Sequence, residues 1–157
     1  LQQQMPEHTF INASISGETS GNGLARLPAY LQQHEPDVLV IELGANDGLR
    51  GFPVVMLRNN LQAMIDLGKK SGCHILLLGM QIPPNYGARY AKQFSETYVQ
   101  LAEINATALV PFLLQAIAGD PAHFQADHLH PTAAVQPQIL ATVKPALEPL
   151  LESLREP

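Results

Sequence analysis

An aspartate and a histidine three positions apart form the pair in this sequence with the clearest capacity for chemistry. Asp127 and His130 lie in the stretch FQADHLHPTAA, ahead of a proline that can begin a helix. A carboxylate that hydrogen-bonds an imidazole fixes its tautomer and leaves the other ring nitrogen able to accept a proton. The pair therefore indicates the orienting acid and the general base of a hydrolytic triad, and it leaves the nucleophile to be found.

Two other interpretations of this segment stay open. In the first, Asp127 caps a local turn and His130 is a surface residue. In the second, the segment binds a metal ion, although no further cluster of Cys, His or carboxylate side chains completes the ligand set. The side chains available for such a site are His123, Asp127, His128 and His130.

Two glycine-containing loops offer candidate donors to an oxyanion. In IELGANDGLRG, Asn46 follows a glycine turn, and its side-chain NH₂ could point into a cleft as an oxyanion hole requires. In NASISGETSGNG, Gly17 can bring a bare backbone N–H close to a ligand. Both segments are also typical of ordinary connections, because Gly, Asn and Asp favour turns and Thr19 or Ser20 can cap a helix.

The elements that would position these loops follow from the hydrophobic pattern. Four short apolar runs, at 9–13, 37–44, 74–80 and 108–112, alternate with helical patterns. This alternation predicts parallel strands with helices on both faces of a sheet. Ligands in such sheets lie beyond the carboxyl ends of the strands, which is where the candidate loops fall. The run 37–44 is continuous, as in strands buried on both faces.

Amphipathic helices are predicted in the intervals between these runs. The segments with this pattern are 23–33, 53–72, 89–105 and 131–154. Pro28 is expected to bend or shorten the first helix. Prolines are also expected to divide the last segment into two or more pieces. They are Pro137, Pro145 and Pro149.

Length and composition limit the class of protein. The 157 residues fit one domain, 1–157, and 46% hydrophobic with 15% charged residues is typical of a globular fold. A net charge of −5 and the lack of a Lys/Arg cluster argue against nucleic acid. No apolar run has the length of a membrane span, and no signal peptide is visible. The single cysteine, Cys73, excludes an internal disulfide.

Three stretches in this order, NASISGETS, ELGANDGLRG and DHLHP, resemble blocks two, three and five of the SGNH (GDSL) hydrolase family. MQIPPNYGARY resembles the corresponding loop of its bacterial thioesterase/lysophospholipase/arylesterase branch. The resemblance runs from Phe10 to the last helix. It implies a three-layer α/β/α sandwich with a parallel, flavodoxin-like sheet. It also implies hydrolysis of small-molecule esters or thioesters through an acyl-enzyme, without a metal or organic cofactor.

The resemblance also implies a role for each matching residue. His130 would be the general base, and Asp127 would orient it. The Gly17 N–H and the Asn46 amide would form the oxyanion hole. An acyl or aryl group would bind near apolar residues of the upper loops, unless those residues pack the loops against the helices. These residues are Leu49, Phe52, Ile82, Pro83 and Tyr86.

One block of the family pattern has no counterpart in the sequence. The Gly-Asp-Ser stretch that holds the nucleophile is absent, and no G-x-S-x-G elbow replaces it. We therefore expect the serine, with its strand and helix, upstream of Leu1. The missing first strand would be a central one, which leaves a gap in the sheet. We expect that gap to be filled by the N-terminal fragment, by a partner chain, including a homo-oligomer, or by a rearranged N-terminus. The alternative is an inactive domain that binds an acyl ligand or a partner. The branch implies a periplasmic or secreted location.

Overall fold

Within residues 1–155, which the structure describes, three parallel strands form the sheet of this computed structural model. In their order across the sheet they are β1 (Val38–Ile41), β2 (His74–Leu78) and β3 (Ala108–Val110). Val40 of β1 is in register with Leu76 of β2, which is in register with Ala108 of β3. The predicted α/β fold with a parallel sheet is therefore confirmed.

The same residues form five α-helices. They are α1 (Ser20–His34), α2 (Ala45–Leu49), α3 (Val54–Lys70), α4 (Ala88–Asn105) and α5 (Gln136–Ser153). The Thr19 side chain caps the first of them by accepting the N–H of Asn22, and this helix continues through Pro28 rather than ending there. Within the described residues, no helix combines the length and apolar character needed to cross a membrane.

The alternation of side chains along β2 divides the core into two clusters. Ile75 and Leu77 are buried on one face with residues of α1, α3 and α4. Leu76 and Leu78 are buried on the opposite face with residues of α5. Since successive residues of a strand point to opposite faces, the sheet is the middle of three layers. The helices α2, α4 and α5 each follow, along the chain, a segment that leaves the carboxyl end of a strand.

The predicted strand at 9–13 does not form in the structure. These residues belong to no ladder, and Ile11 is 51% exposed. The prediction of burial on both faces is also wrong for the run 37–44, because Val40 is 39% exposed. The exposure of Val40 follows from its place in the sheet. Within residues 1–155, β1 is an edge strand, so its outer backbone groups have no neighbouring strand and its side chains are covered less completely.

The C-terminal segment contains a short 3₁₀ helix, Ala133–Val135, followed by one α-helix, which its prolines do not divide as predicted. Pro145 and Pro149 lie inside α5, and Pro137 lies in its first turn, where the missing N–H has no helical partner to lose. Three apolar residues at intervals of four positions are buried against the sheet and stabilise the helix across its two internal prolines. They are Val143, Leu147 and Leu151.

Candidate active site

The side chains of Asp127 and His130 are hydrogen-bonded, with 2.7 Å between Asp127 Oδ2 and His130 Nδ1. The second carboxylate oxygen, Oδ1, accepts the backbone N–H groups of Leu129 and His130 at 2.9 and 3.0 Å. These backbone bonds, followed by the bond from the imidazole, lower the pKa of Asp127 well below its usual range. Asp127 therefore caps the local turn and contacts the imidazole at the same time.

A short antiparallel contact between Phe124 and Pro131 closes the loop that carries this pair. Gln125 donates its backbone N–H to the His130 carbonyl at 2.8 Å across the base of the loop. The tight turn between them holds His128 at φ 56°, in the left-handed region. The His130 side chain is 68% exposed, so its ring lies open to solvent rather than in the core.

The contacts of His123 bear on the metal interpretation of this segment. His123 Nδ1 lies 3.1 Å from the Ile117 carbonyl oxygen, and Nε2 lies 3.9 Å from Asp120 Oδ2. In the part of the chain that the structure describes, no three side chains of His, Cys, Asp or Glu are grouped so that they could hold a metal ion. The described residues therefore offer no ligand set for a metal ion in the histidine segment.

Gly17, in the loop before α1, and Asn46, in α2, are the two predicted oxyanion donors, and their two segments are linked to each other. Arg50, just after α2, donates from Nη2 to the Gly17 carbonyl at 3.0 Å. Asp47, which follows Asn46, accepts the backbone N–H of Ser20 at 2.8 Å and also the Ser20 hydroxyl. The fold therefore brings together two loops that are almost 30 positions apart in sequence.

The turn that carries Asn46 requires glycine at position 44. Gly44 has φ 121°, and a Cβ placed there would lie 2.1 Å from the Tyr98 hydroxyl. That hydroxyl donates to the Leu43 carbonyl at 2.9 Å and supports the turn from beneath. The segment after Gly44, interpreted from sequence as a turn or loop, is the short helix α2, and Asn46 is half-buried in it.

Gly17 has the conformation and the surroundings of an exposed turn. Its φ is 77°, where glycine is favoured, and a Cβ there would meet no atom within 4 Å. The space beside its backbone is therefore open. The close approach of a ligand to this backbone stays a prediction.

The five apolar residues predicted to contact substrate divide into two groups. Ile82 is buried in the core, where a Cβ on Gly48 would lie 2.6 Å from its Cγ2. It therefore packs its loop against α2, as the alternative interpretation required. The other four lie at the surface, half-buried or exposed. They are Leu49, Phe52, Pro83 and Tyr86.

One further contact joins this surface to α4. The Tyr90 hydroxyl donates to the Phe52 carbonyl at 2.6 Å, so that the loop after α2 is fixed to the helix that follows residues 80–87. The apolar residues of both loops are thereby held on the same side of the molecule. Neither Tyr90 nor its bond was identified from sequence, since a tyrosine at helical spacing is equally typical of a core position.

Sequence reasoning also missed a buried polar group beneath the two donor loops. Ser20 and Asp47 are 0% and 2% exposed, and Asn60 of α3 donates to the Ser20 hydroxyl at 2.9 Å. The sequence did hold a partial signal, because Asp47 directly follows Asn46 and Ser20 directly follows the capping Thr19. No local pattern relates these residues to each other, so only the fold pairs them.

Within residues 1–155, no serine hydroxyl is hydrogen-bonded to His130. Ser20 is bonded to Asp47, while the hydroxyls of Ser95 and Ser153 donate to backbone carbonyls of their own helices. The remaining serines are Ser14, Ser16 and Ser71. The first two are exposed in the loop with Gly17, and the third ends α3.

Known proteins resemble this chain over most of its length. The model of the GDSL-like lipase/acylhydrolase family matches residues 1–136. "Esterase TesA" of Pseudomonas aeruginosa is 50% identical over 145 residues, which are 92% of this chain and 72% of that protein. "Thioesterase 1/protease 1/lysophospholipase L1" of Escherichia coli K12 is 41% identical over 143 residues, or 91% of this chain and 69% of that one.

A solved structure shows the same likeness in three dimensions. The crystal structure of the psychrotrophic esterase EstA from Pseudoalteromonas sp., inhibited by monoethylphosphonate, aligns with a TM-score of 0.89 at 41% identity. The alignment covers 96% of this chain and 85% of that chain. The family match includes every candidate residue from Gly17 to His130.

Proposed function

We propose that this chain, which belongs to the GDSL-like lipase/acylhydrolase family, hydrolyses carboxylic esters or thioesters. The proposed reaction uses a catalytic serine and passes through an acyl-enzyme. The relatives at 41–50% identity are an esterase and a thioesterase/lysophospholipase. The observation that carries the proposal is the 2.7 Å hydrogen bond between Asp127 and His130 in an exposed loop. A carboxylate and an imidazole in this geometry are what a serine nucleophile needs for activation.

The proposed chemistry begins with a proton transfer to His130. Its Nε2 accepts the serine proton as the serine oxygen attacks the acyl carbon, and it then delivers that proton to the departing alcohol or thiol. In the second half-reaction, the same nitrogen takes a proton from a water molecule as the water oxygen attacks the acyl carbon. It then returns that proton to the serine oxygen as the acyl–serine bond breaks and the acid leaves. Asp127 keeps the other ring nitrogen protonated and stabilises the imidazolium that forms in each step.

The tetrahedral oxyanion is assigned to the Gly17 N–H and the Asn46 side-chain NH₂, together with the N–H of the nucleophilic serine. The support for this assignment is the contact between the two loops, through Arg50 and through Asp47. Donors that are already oriented when charge develops lower the barrier, because they need no reorganisation at the moment of reaction. The mechanism needs no metal ion and no organic cofactor.

The proposal places the nucleophile outside these 157 residues. It rests on the lack of a block-one Gly-Asp-Ser stretch in the sequence, and on the lack of any serine bonded to His130 within residues 1–155. Either a further part of the same polypeptide or a partner chain would supply that serine to the open side of the sheet. The second candidate function follows from the same observation: a non-catalytic domain that binds an acyl ligand or a partner.

The acyl or aryl part of the substrate is proposed to lie against the four surface residues of the upper loops. Leu49 and Phe52 are half-buried, whereas Pro83 and Tyr86 are exposed, which suits an apolar group that enters from solvent. Ile82 supports this surface from within the core. A periplasmic or secreted location is part of the proposal and rests on the family resemblance.

A fluorophosphonate probe tests the proposal directly. An activated serine oxygen attacks phosphorus and displaces fluoride, which leaves a phosphonyl-serine that intact-mass measurement detects and peptide mapping locates. For the purified protein that carries this sequence, we expect one adduct and hydrolysis of p-nitrophenyl acetate. Both should be lost in His130→Asn and retained in His128→Asn, a control in which asparagine tolerates the left-handed conformation. No adduct, with hydrolysis no faster than in buffer, would favour the binding domain instead.

A further inference from the structure

Among residues 1–155, Asp47 has the most deeply buried carboxylate, and it takes no part in the chemistry proposed above. It is 2% exposed, and within residues 1–155 it forms no salt bridge with a Lys, Arg or His side chain. Burial of a carboxylate costs free energy unless hydrogen bonds replace its hydration. For Asp47 those bonds come from a single distant residue, Ser20, which lies 27 positions earlier in the sequence.

Two hydrogen bonds between Ser20 and the Asp47 carboxylate join the two segments. Asp47 Oδ2 accepts the Ser20 backbone N–H at 2.8 Å, and Oδ1 accepts the Ser20 hydroxyl. The hydroxyl oxygen in turn accepts an N–H of Asn60, which lies on α3. Because Asn60 occupies the acceptor side of the hydroxyl, the hydroxyl hydrogen is directed at Asp47. Both loops are thus tied to a helix of the core.

The positions of the linked residues relate this contact to the oxyanion hole. Asp47 directly follows Asn46, and Ser20 lies three residues after Gly17. Within the first loop, Glu18 binds Arg26 of α1, but the hydrogen bonds that join this loop and Ser20 to the Asn46 segment are the outer one from Arg50, whose side chain is exposed, and this buried contact. Of these two, the contact excluded from water is the stronger constraint, since exposed polar contacts exchange readily with solvent.

We infer that Asp47 is a positioning residue that sets the separation of the Gly17 N–H and the Asn46 amide by binding Ser20. The inference rests on the proposed function, in which both groups bind one oxyanion. Such donors must lie about 2.7–3.1 Å from the same oxygen, and a displacement of about 1 Å can cost on the order of 100-fold in rate. A flexible first loop would leave one donor out of reach while the substrate still binds.

The variant Asp47→Asn tests the inference with the least change of shape. Asparagine replaces one acceptor by a donor, so that one of the two bonds to Ser20 is lost. In the protein that carries this sequence, we expect kcat for p-nitrophenyl acetate to fall by about 10-fold to 100-fold, with KM changed less than about twofold. Thr97→Val is the matched control, because Thr97 is 3% exposed and its hydroxyl bonds only Gln93 of its own helix.

A double-mutant cycle separates positioning from general stability. If Asp47 acts through the oxyanion hole, Asp47→Asn should add less than about threefold to the loss already caused by Asn46→Ala. Losses that multiply would mean a merely structural role and would overturn the inference. Should Asp47→Asn fail to fold, Ser20→Ala removes one of the same bonds, and it is expected to show the same dependence on Asn46.

Hydrogen exchange gives a readout that does not depend on turnover. In Asp47→Leu, the Ser20 amide should exchange at least about tenfold faster than in the wild type, while the amides of β2 keep their protection. An unchanged Ser20 rate would overturn the inference, whatever the activity. If the wild type hydrolyses p-nitrophenyl acetate and Asp47→Asn has the same kcat, the inference is overturned but the proposed function is not. A wild type without hydrolysis would overturn the proposed function, and the inference with it.

Discussion

At the scale of single residues, the two oxygens of Asp127 have different partners. One accepts two backbone N–H groups, and the other contacts the His130 ring. This division couples the shape of the loop to the tautomer of the imidazole. A substitution can therefore be chosen that keeps the backbone contacts and removes the contact with the ring. It separates the proposed catalytic role of the carboxylate from its structural one.

Asparagine at position 127 is that substitution. Its carbonyl oxygen can still cap the turn, but its NH₂ would donate to His130 Nδ1 and so place the ring proton on Nε2, where the base must accept. We expect Asp127→Asn to lower kcat by about 10³-fold to 10⁴-fold with little change in thermal stability. The measurements are steady-state kinetics and thermal denaturation.

Asp120→Asn is the matched control for this change. Asp120 also caps a turn by accepting a backbone N–H, that of Ala122, and it also lies near a histidine. This variant should keep near wild-type kcat. If Asp127→Asn turned over within tenfold of the wild type, the role of the carboxylate in orienting the base would have to be abandoned.

The lowered pKa of Asp127 has a second consequence, for the pH dependence of the loop. The largest causes are backbone N–H groups, and those remain when the His130 side chain is changed. We therefore expect the carboxyl carbon of Asp127, followed by NMR, to titrate below the ordinary value of about 3.9, both in the wild type and in His130→Asn.

The sign of the effect on stability follows from that direction. A folded pKa below the unfolded one means that the unfolded chain binds the proton more tightly. The contribution of Asp127 is therefore complete above about pH 5, where the carboxyl is ionised in both states, and it is lost as the pH falls from there through the folded pKa. A midpoint at or above the ordinary value in His130→Asn would show that the ring, and not the backbone, sets the shift.

Asn46 is the second residue whose role can be measured in isolation. Loss of one oxyanion donor typically costs about 10²-fold to 10³-fold in kcat, and we expect Asn46→Ala to fall in that range with KM little changed. Asn59→Ala is the control, since Asn59 is exposed on α3. Unchanged turnover in Asn46→Ala would remove this residue from the mechanism.

At the scale of elements, the sequence predicted what local patterns determine. The bounds of α3 and α4 and the position of β2 follow from apolar periodicity and capping, and they agree with the structure within a few residues. The missing strand at 9–13 and the single helix α5 could not be predicted in this way. A strand forms only beside a partner, and a helix with internal prolines persists only where packing offsets the lost bonds.

The turn before α2 shows how closely an element can depend on one residue. Gly44 has φ 121°, and a Cβ there would meet the Tyr98 hydroxyl at 2.1 Å and Leu57 at 2.9 Å. We expect Gly44→Ala to lower the free energy of unfolding by about 2–4 kcal/mol, through backbone strain and overpacking together. Chemical denaturation measures this change.

Two other glycines separate these two causes. Gly72→Ala adds strain without a clash, because φ is 84° and the space is empty, so the expected loss is about 1 kcal/mol. Gly119→Ala adds neither and should be close to neutral. If the free energy of unfolding of Gly44→Ala were no lower than that of Gly72→Ala, a steric clash between the new Cβ and Tyr98 would be excluded as a cause.

At the scale of the whole molecule, the candidate site was predictable only where its parts are close in sequence. Asp127 and His130 are three positions apart, so that spacing alone pairs them. Gly17 and Asn46 were related through the resemblance and the expected topology, and the buried contact of Ser20 with Asp47 had no signal that joined its two ends. Contacts between distant loops depend on the packed fold, which residue types and periodicity do not encode locally.

The open edge of the sheet gives the last prediction. Within residues 1–155, β1 pairs only with β2, and Val40 on this edge strand is 39% exposed. Unpaired strand edges with apolar side chains bind other strands. We therefore expect the polypeptide of these 157 residues, made alone, to self-associate at about 100 µM, and Val40→Lys to weaken that association about tenfold or more, through charge repulsion across the new pairing. Sedimentation velocity measures both.

Val55→Lys distinguishes the edge from exposed apolar surface in general. Val55 is 60% exposed, more than Val40, but it lies on α3, where the backbone bonds are satisfied within the helix. If apolar exposure alone drove association, Val55→Lys would weaken the association at least as much as Val40→Lys. If the free backbone of β1 drives it, only Val40→Lys should act. A monomeric wild type at that concentration would mean that the edge is already protected, and the need for a strand from elsewhere would lose its physical basis.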